Sequence, residues 1–301
     1  MLCTKYLSGG ASGRRDATYQ GGTLVPTITS KSGLLSKTEL HYDETGQGRP
    51  VVLIHGWPLS GDSWAKQVPA FAAAGYRVVT YDRRGFGQSE KPGKGYDYDH
   101  FADDLAALLD ELDLTDVTLV GFSMGGGEIA RYISRHGQER LRSVVFAAAV
   151  PPYLLKTDDN ADGALGDADV DGMQQAASDD RAGFLDGFTT SFFSVDGEIK
   201  VSEQDRQDAL AMASQAEDKA LVDCIAAFAR TDFREDLAKV TVPTLVIHGD
   251  GDGTVPFEAS GRRTADAIAG SELHVVAGGP HGLTVSHAEE FNSTVLTFLA
   301  R

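Results

Sequence analysis

The residues able to do chemistry are a serine, an aspartate and a histidine, each in a glycine-rich turn that follows an apolar run. Gly121-Phe122-Ser123-Met124-Gly125 sits between the apolar run 117–120 and the helical pattern that contains Ile129-Ala130-Arg131-Tyr132. G-x-S-x-G in that setting puts the serine on a tight, strained strand-to-helix turn with its Oγ exposed. Side chains two positions to either side would collide there, which accounts for Gly121 and Gly125, and Gly126 and Gly127 let the new helix approach the sheet. The helix start adds unpaired N–H groups and the positive end of a dipole, suited to a developing oxyanion. A dinucleotide fingerprint also uses such glycines, but G-x-G-x-x-G is absent here.

In the chain order that goes with this elbow, an acid and then a histidine follow the serine. The run 244–248 ends in Gly249-Asp250-Gly251-Asp252-Gly253, a turn that presents an acid at the carboxyl end of a strand, where α/β ligands bind. Of its two aspartates, Asp252 is expected to be the acid and Asp250 to brace the turn. D-G-D-G resembles a calcium-loop fragment but lacks the later ligands of that motif. Gly278-Gly279-Pro280-His281-Gly282 then places His281 in a loop after the last apolar run. His136, His248, His274 and His287 lie within or beside expected elements and read as structural, as do His55 and Gly56. The expected chemistry is nucleophilic: His281 takes the Ser123 proton and Asp252 holds the imidazole and its cation. Two N–H donors must meet the tetrahedral oxygen. They are expected from Met124, which follows the serine, and Trp57, in the loop after 51–54. Pro58 has no N–H and fixes the direction of the Trp57 carbonyl.

The elements that must position these groups are legible as a rhythm. Apolar runs at 51–54, 77–81, 117–120, 143–149, 244–248 and 273–276 alternate with helical patterns at 101–112, 124–136, 259–269 and 288–299. Several runs lack a clean period of two, as strands buried on both faces of a parallel sheet do. In the first helix Phe101, Leu105, Leu108, Leu109 and Leu112 fall on one face, and Asp99 is the expected N-cap. The fold class is therefore α/β, a mostly parallel sheet flanked by helices. Residues 39–150 and 237–301 make the core. Residues 151–236, with no convincing buried strand, make a helical cap rich in aspartate between Asp158 and Asp186, a run that reads as a solvated face. Residues 1–38, Gly/Ser/Thr-rich and net positive, are expected to be a loose extension.

The 301 residues carry a net charge of −17, which argues against nucleic acid or an anionic membrane surface as the main partner. Cys3 and Cys224 make no disulfide framework, and no run approaches a membrane span or a signal-peptide core, so a cytoplasmic protein is expected.

Taken together, His55–Trp64, Tyr81–Ser89, Phe101–Leu105, Gly121–Tyr132, Asp223-Cys224, Thr231-Asp232-Phe233, His248–Asp252 and Pro280–Gly282 make the chain resemble the cofactor-free, non-heme haloperoxidase, arylesterase and perhydrolase group of α/β-hydrolases. The resemblance runs from about Glu39 to the C-terminus. It implies a Ser123–Asp252–His281 triad, a Trp57/Met124 oxyanion hole, no cofactor and no metal. It also implies hydrolysis of small esters, acyl transfer from carboxylic acids to hydrogen peroxide, halide oxidation by the peracid, and a homo-oligomer. The first 38 residues are not covered, and the acidic stretch 158–180 departs from the usual cap. A lactonase or amide hydrolase would use the same triad, and a non-catalytic binding protein could share the fold. An aspartate-nucleophile dehalogenase or epoxide hydrolase is disfavoured by Ser123.

Overall fold

The computed structural model describes residues 17–20, 23–30 and 37–301. In chain order the first half holds β1 (Ala17–Gln20), β2 (Thr23–Ser30), β3 (Thr38–Thr45), β4 (Arg49–Ile54), α1 (Val68–Ala73), β5 (Tyr76–Tyr81), α2 (Tyr98–Glu111), β6 (Val117–Phe122), α3 (Met124–His136) and β7 (Leu141–Ala147). Then come α4 (Asp167–Asp179), α5 (Arg181–Phe192), the short strands β8 (Ser194–Val195) and β9 (Glu198–Ile199), α6 (Glu203–Ala213), α7 (Asp218–Arg230) and α8 (Arg234–Leu237). The chain closes with β10 (Thr244–Gly249), α9 (Gly261–Ala267), β11 (Glu272–Val276), α10 (Leu283–Ser286) and α11 (Ala288–Leu299).

All but β8 and β9 join one sheet in the order β1-β2-β3-β5-β4-β6-β7-β10-β11. The six strands from β5 to β11 are parallel; β1, β2 and β3 pair antiparallel along one edge. This is the α/β architecture expected. The apolar runs lack polar alternation because successive side chains serve two different cores. Val52 and Ile54 of β4 pack with Phe101, Leu105 and Ile129 on one face. Val51 and Leu53 pack with Trp64, Phe71, Phe291 and Val295 on the other. Helices α2 and α3 thus cover one face, and α1 and α11 the opposite one. The chain turns outward in both directions from the neighbouring strands β4 and β6, so the loops leaving them diverge and leave a crevice at their carboxyl ends.

Four expectations are corrected. Within the extension expected to be loose, β1 and β2 are sheet strands, β2 pairing with β3 over Thr27–Ser30, because β3 offers it an open antiparallel edge. The rest of that extension up to residue 36 lies outside the described residues. The α2 N-cap is Asp97, whose side chain accepts from His100 N at 3.0 Å, and Asp99 instead pairs with Arg131 and Arg135 of α3. The helix expected over 259–269 divides into a 3-10 turn at Phe257–Ala259 and α9. Finally, β11 is the outer strand, and Leu273 and Val275 are exposed rather than buried. Among the described residues no helix is long and apolar enough to cross a membrane.

The cap correction is testable by chemical denaturation. Asp97→Ala is expected to lower stability by about 1 kcal/mol, while Asp97→Asn, which keeps an acceptor, stays within a few tenths of the wild type.

Candidate active site

The turn between β6 and α3 carries Ser123 at φ 54° and ψ −118°, a conformation that L-residues rarely adopt. It is held from both sides: Ser123 N donates to Ala147 O at 2.9 Å, and Gly126 N donates back to Ser123 O at 3.0 Å. The flanking glycines are steric requirements. A Cβ on Gly121 would lie 2.5 Å from Gly125 O, and one on Gly125 would lie 2.6 Å from Ile54 O.

Three loops from distant parts of the chain meet at this turn. The Ser123 hydroxyl donates to His281 Nε2 at 2.9 Å, and His281 Nδ1 donates to Asp252 Oδ2 at 2.7 Å. All three side chains are buried. The imidazole is flanked by the rings of Phe122 and Phe192, each with its centroid 5.1 Å away. Thr254 N and Val255 N donate to Asp252 Oδ1 at 2.9 and 2.8 Å. Burial alone would push the Asp252 carboxyl up. The facing His281 and hydrogen bonds from His248 and His281 outweigh it and hold the group far below the ordinary carboxylate range. Asp250 does not reach the histidine; it accepts from Gly278 N at 2.6 Å and so braces the loop that carries His281. The arrangement can move a proton from Ser123 to His281 while Asp252 stays ionised.

A cavity of about 50 Å³ opens on Ser123 and His281. Its walls are Trp57 from the loop after β4, Val150, Leu154, Leu165, Met173 of α4, Phe188 of α5, Phe228 of α7, Thr254 and Val255. Met124 is the first residue of α3 and is fully buried. The indole of Trp57 donates to Leu221 O of α7 at 3.1 Å and is surrounded by Phe184, Phe188 and Phe228. The chain between β7 and β10 thus supplies much of the cavity wall. Several of its aspartates face arginines: Asp167 and Asp171 pair with Arg230, Asp159 with Arg234, and Asp186 with Arg206.

The turn at 55–57 is fixed by His55, which reads from the sequence as part of the turn, and by Arg83 and Glu128, whose part the sequence does not reveal. Arg83 N donates to His55 Nε2 at 2.9 Å, His55 Nδ1 donates to Gly56 O at 2.9 Å, and Arg83 Nη2 donates to His55 O at 2.9 Å. Burial and the Arg83 charge push His55 well below the ordinary histidine range, so it stays neutral in this role. Arg83 in turn donates through Nε to Glu128 Oε2 of α3 at 2.8 Å, and the Tyr81 hydroxyl donates to Glu128 Oε1. A buried ion pair therefore ties the 55–57 turn to the helix that starts beside Ser123. The one available signal was an Arg-Arg doublet just after an apolar strand and a glutamate in the first turns of a helix.

The comparisons agree with this geometry. A model of the alpha/beta hydrolase fold matches residues 49–288. The crystal structure of a bromoperoxidase from Bacillus anthracis superposes with a TM-score of 0.88 at 53% identity, covering 91% of this chain and 100% of that one. The chain is a member of the haloperoxidase and esterase group of α/β-hydrolases. A non-heme chloroperoxidase of Kitasatospora aureofaciens is 46% identical over 91% of this chain and 99% of its own length. A bifunctional esterase/perhydrolase of Acinetobacter calcoaceticus is 37% identical over 90% of this chain and 98% of its own. The resemblance read from the sequence is borne out.

Two stability measurements check the site. Ser123→Gly relieves the positive-φ strain that Ser123→Ala retains, and is expected to be about 1 kcal/mol more stable than the alanine variant in urea unfolding. Glu128→Gln leaves the Arg83 charge buried without its counter-ion and is expected to cost about 3–5 kcal/mol.

Proposed function

We propose that the protein is a serine hydrolase that cleaves small carboxylic esters through an acyl-Ser123 intermediate and passes the same acyl group to hydrogen peroxide. The observation that carries this reading is the unbroken hydrogen-bond chain Ser123–His281–Asp252 at the mouth of an apolar cavity. In this reading Ser123 Oγ attacks the carbonyl carbon while His281 Nε2 takes its proton. Asp252 stabilises the imidazolium without taking the proton itself. The tetrahedral oxygen accepts from the backbone N–H groups of Met124 and Trp57, with the α3 N-terminus adding favourable field. Collapse expels the alcohol, which receives the proton from His281. Water then attacks the acyl-serine to give a carboxylic acid, or hydrogen peroxide attacks it to give a peracid. A free carboxylic acid enters the same cycle by losing water on acylation. The peracid oxidises halide in solution, and neither step needs a cofactor or a metal.

Residues 151–236 act as a cap in this reading, and its apolar wall favours small, neutral acyl groups over charged ones. The names of the relatives above support the pairing of esterase with perhydrolase activity. A homo-oligomer is the expected assembly, and a reducing cytoplasm suits a chain whose Cys224 is a buried free thiol.

Turnover of p-nitrophenyl acetate without added metal tests the reading. Ser123→Ala is expected to lose several orders of magnitude in kcat, in hydrolysis and in peracid formation alike. Equal activity of the variant and the wild type would remove Ser123 as the nucleophile.

A further inference from the structure

His248 lies on β10, four residues before Asp252, and was expected from the sequence to be structural. It is fully buried. Its Nε2 stands 2.9 Å from Val255 O and 3.2 Å from Asp252 Oδ2, the oxygen that also accepts from His281. Both neighbours are acceptors, so Nε2 carries the ring proton. Its Nδ1 has no hydrogen-bond partner among the described residues. A proton there would be a buried, unpaired donor, and the lone pair at Nε2 would face two oxygens. The ring is closely packed: a Cβ on Gly261 would lie 2.4 Å from Nδ1, and the Phe257 ring centroid is 5.6 Å away.

We propose that His248 is a positioning residue for the triad acid: its Nε2–H, hydrogen-bonded to Val255 O and 3.2 Å from Asp252 Oδ2, offsets part of the Asp252 charge and keeps His281 in its basic form further into the acid range. The proposal rests on the triad reading above. Charge balance at Asp252 gives the sign. The titratable groups that face this carboxylate are His281, from the loop after β11, and His248, from β10. Ser123 is reached only through His281, and Asp250 turns away to Gly278 N. The remaining polar contacts are the Thr254 and Val255 amides on Oδ1. A donor beside Oδ2 weakens the field that the aspartate exerts on the imidazole. The imidazolium is then less favoured, and the neutral base survives at lower pH. Acidic conditions are where a free carboxylic acid is undissociated and able to acylate Ser123 with loss of water. The same imidazole must still be unprotonated to accept the Ser123 proton.

The test is the pH dependence of kcat/KM for p-nitrophenyl acetate, whose acid limb reports the free enzyme's essential base. His248→Leu removes the donor. His248→Asn keeps a polar side chain too short to put its NH₂ where Nε2 was. His248→Gln keeps a donor at that point. For the leucine and asparagine variants the acid limb is expected to move up by about half a unit to one unit, the effect of one net hydrogen bond. Below the limb, kcat/KM relative to the wild type falls about threefold to tenfold more than it does on the plateau. His248→Gln restores the wild-type limb. If leucine fails to fold, asparagine carries the same prediction. An unchanged limb in leucine and asparagine overturns the proposal, as does a downward shift or the same shift in all three variants. Those results leave the triad reading intact, provided the wild type is active and Ser123→Ala is not. A wild type no more active than Ser123→Ala overturns the triad reading itself, and with it the proposal.

Discussion

A single strained residue organises the molecule. Ser123 is held at positive φ between the end of β6 and the first turn of α3, and most of the neighbouring structure exists to make that conformation tolerable. Its backbone is bonded to β7 on one side and to α3 on the other, so the strain cannot relax without loosening the centre of the sheet. Gly121 and Gly125 leave the space that the sharp turn consumes. In return the turn projects a hydroxyl from the carboxyl edge of the sheet and aims a helix start at the same point. Position in the sheet matters as much as the turn. Neighbouring strands β4 and β6 send their helices to opposite faces, and the cavity that opens on Ser123 and Trp57 lies where their loops diverge.

Two buried polar constructions hold the loops that meet there, and they differ in kind. On the Trp57 side the Arg83–Glu128 ion pair joins the turn to α3 through charge. Its members lie under the sheet edge, remote from solvent, where each charge depends on the other. On the Asp252 side the carboxylate is held by hydrogen bonds: two amides and the imidazole of His281 donate to it, with the ring of His248 3.2 Å away. The helices between β7 and β10 close the site from above, and Trp57 belongs to both parts, its backbone in the core turn and its indole bonded to α7.

The sequence by itself determined which three side chains meet at the turn and the sheet that carries them. Ser123, Asp252 and His281 were legible because each demands a local pattern: a glycine-flanked turn, an acid at a strand end, a histidine in a Gly/Pro loop. The parallel strands were legible because burial on both faces leaves continuous apolar runs, and α2 because Phe101, Leu105, Leu108 and Leu109 recur at helical spacing. Local pattern failed where a neighbour decided the outcome. Asp99 has the composition of an N-cap, but Arg131 and Arg135 draw it away and Asp97 caps α2. The strands β1 and β2 escape such a reading because neither is a continuous apolar run; β2 is placed by its pairing with β3, and β1 by its pairing with β2.

Only the tertiary structure could assign Arg83, Glu128 and His248, and name the partners of His55. A buried polar residue takes its meaning from partners brought to it by the fold, and those partners lie 28 residues from His55 for Arg83 and 45 from Arg83 for Glu128. His248 shows the limit most clearly. Its position four residues before Asp252 is visible in the sequence, but that its ring bends back onto the carboxylate depends on the turn after β10, on Val255 O and on the close approach of Gly261. The size and wall of the cavity were likewise settled by packing, since residues from Trp57 to His281 converge on it from separate elements and no stretch of sequence contains the space they enclose.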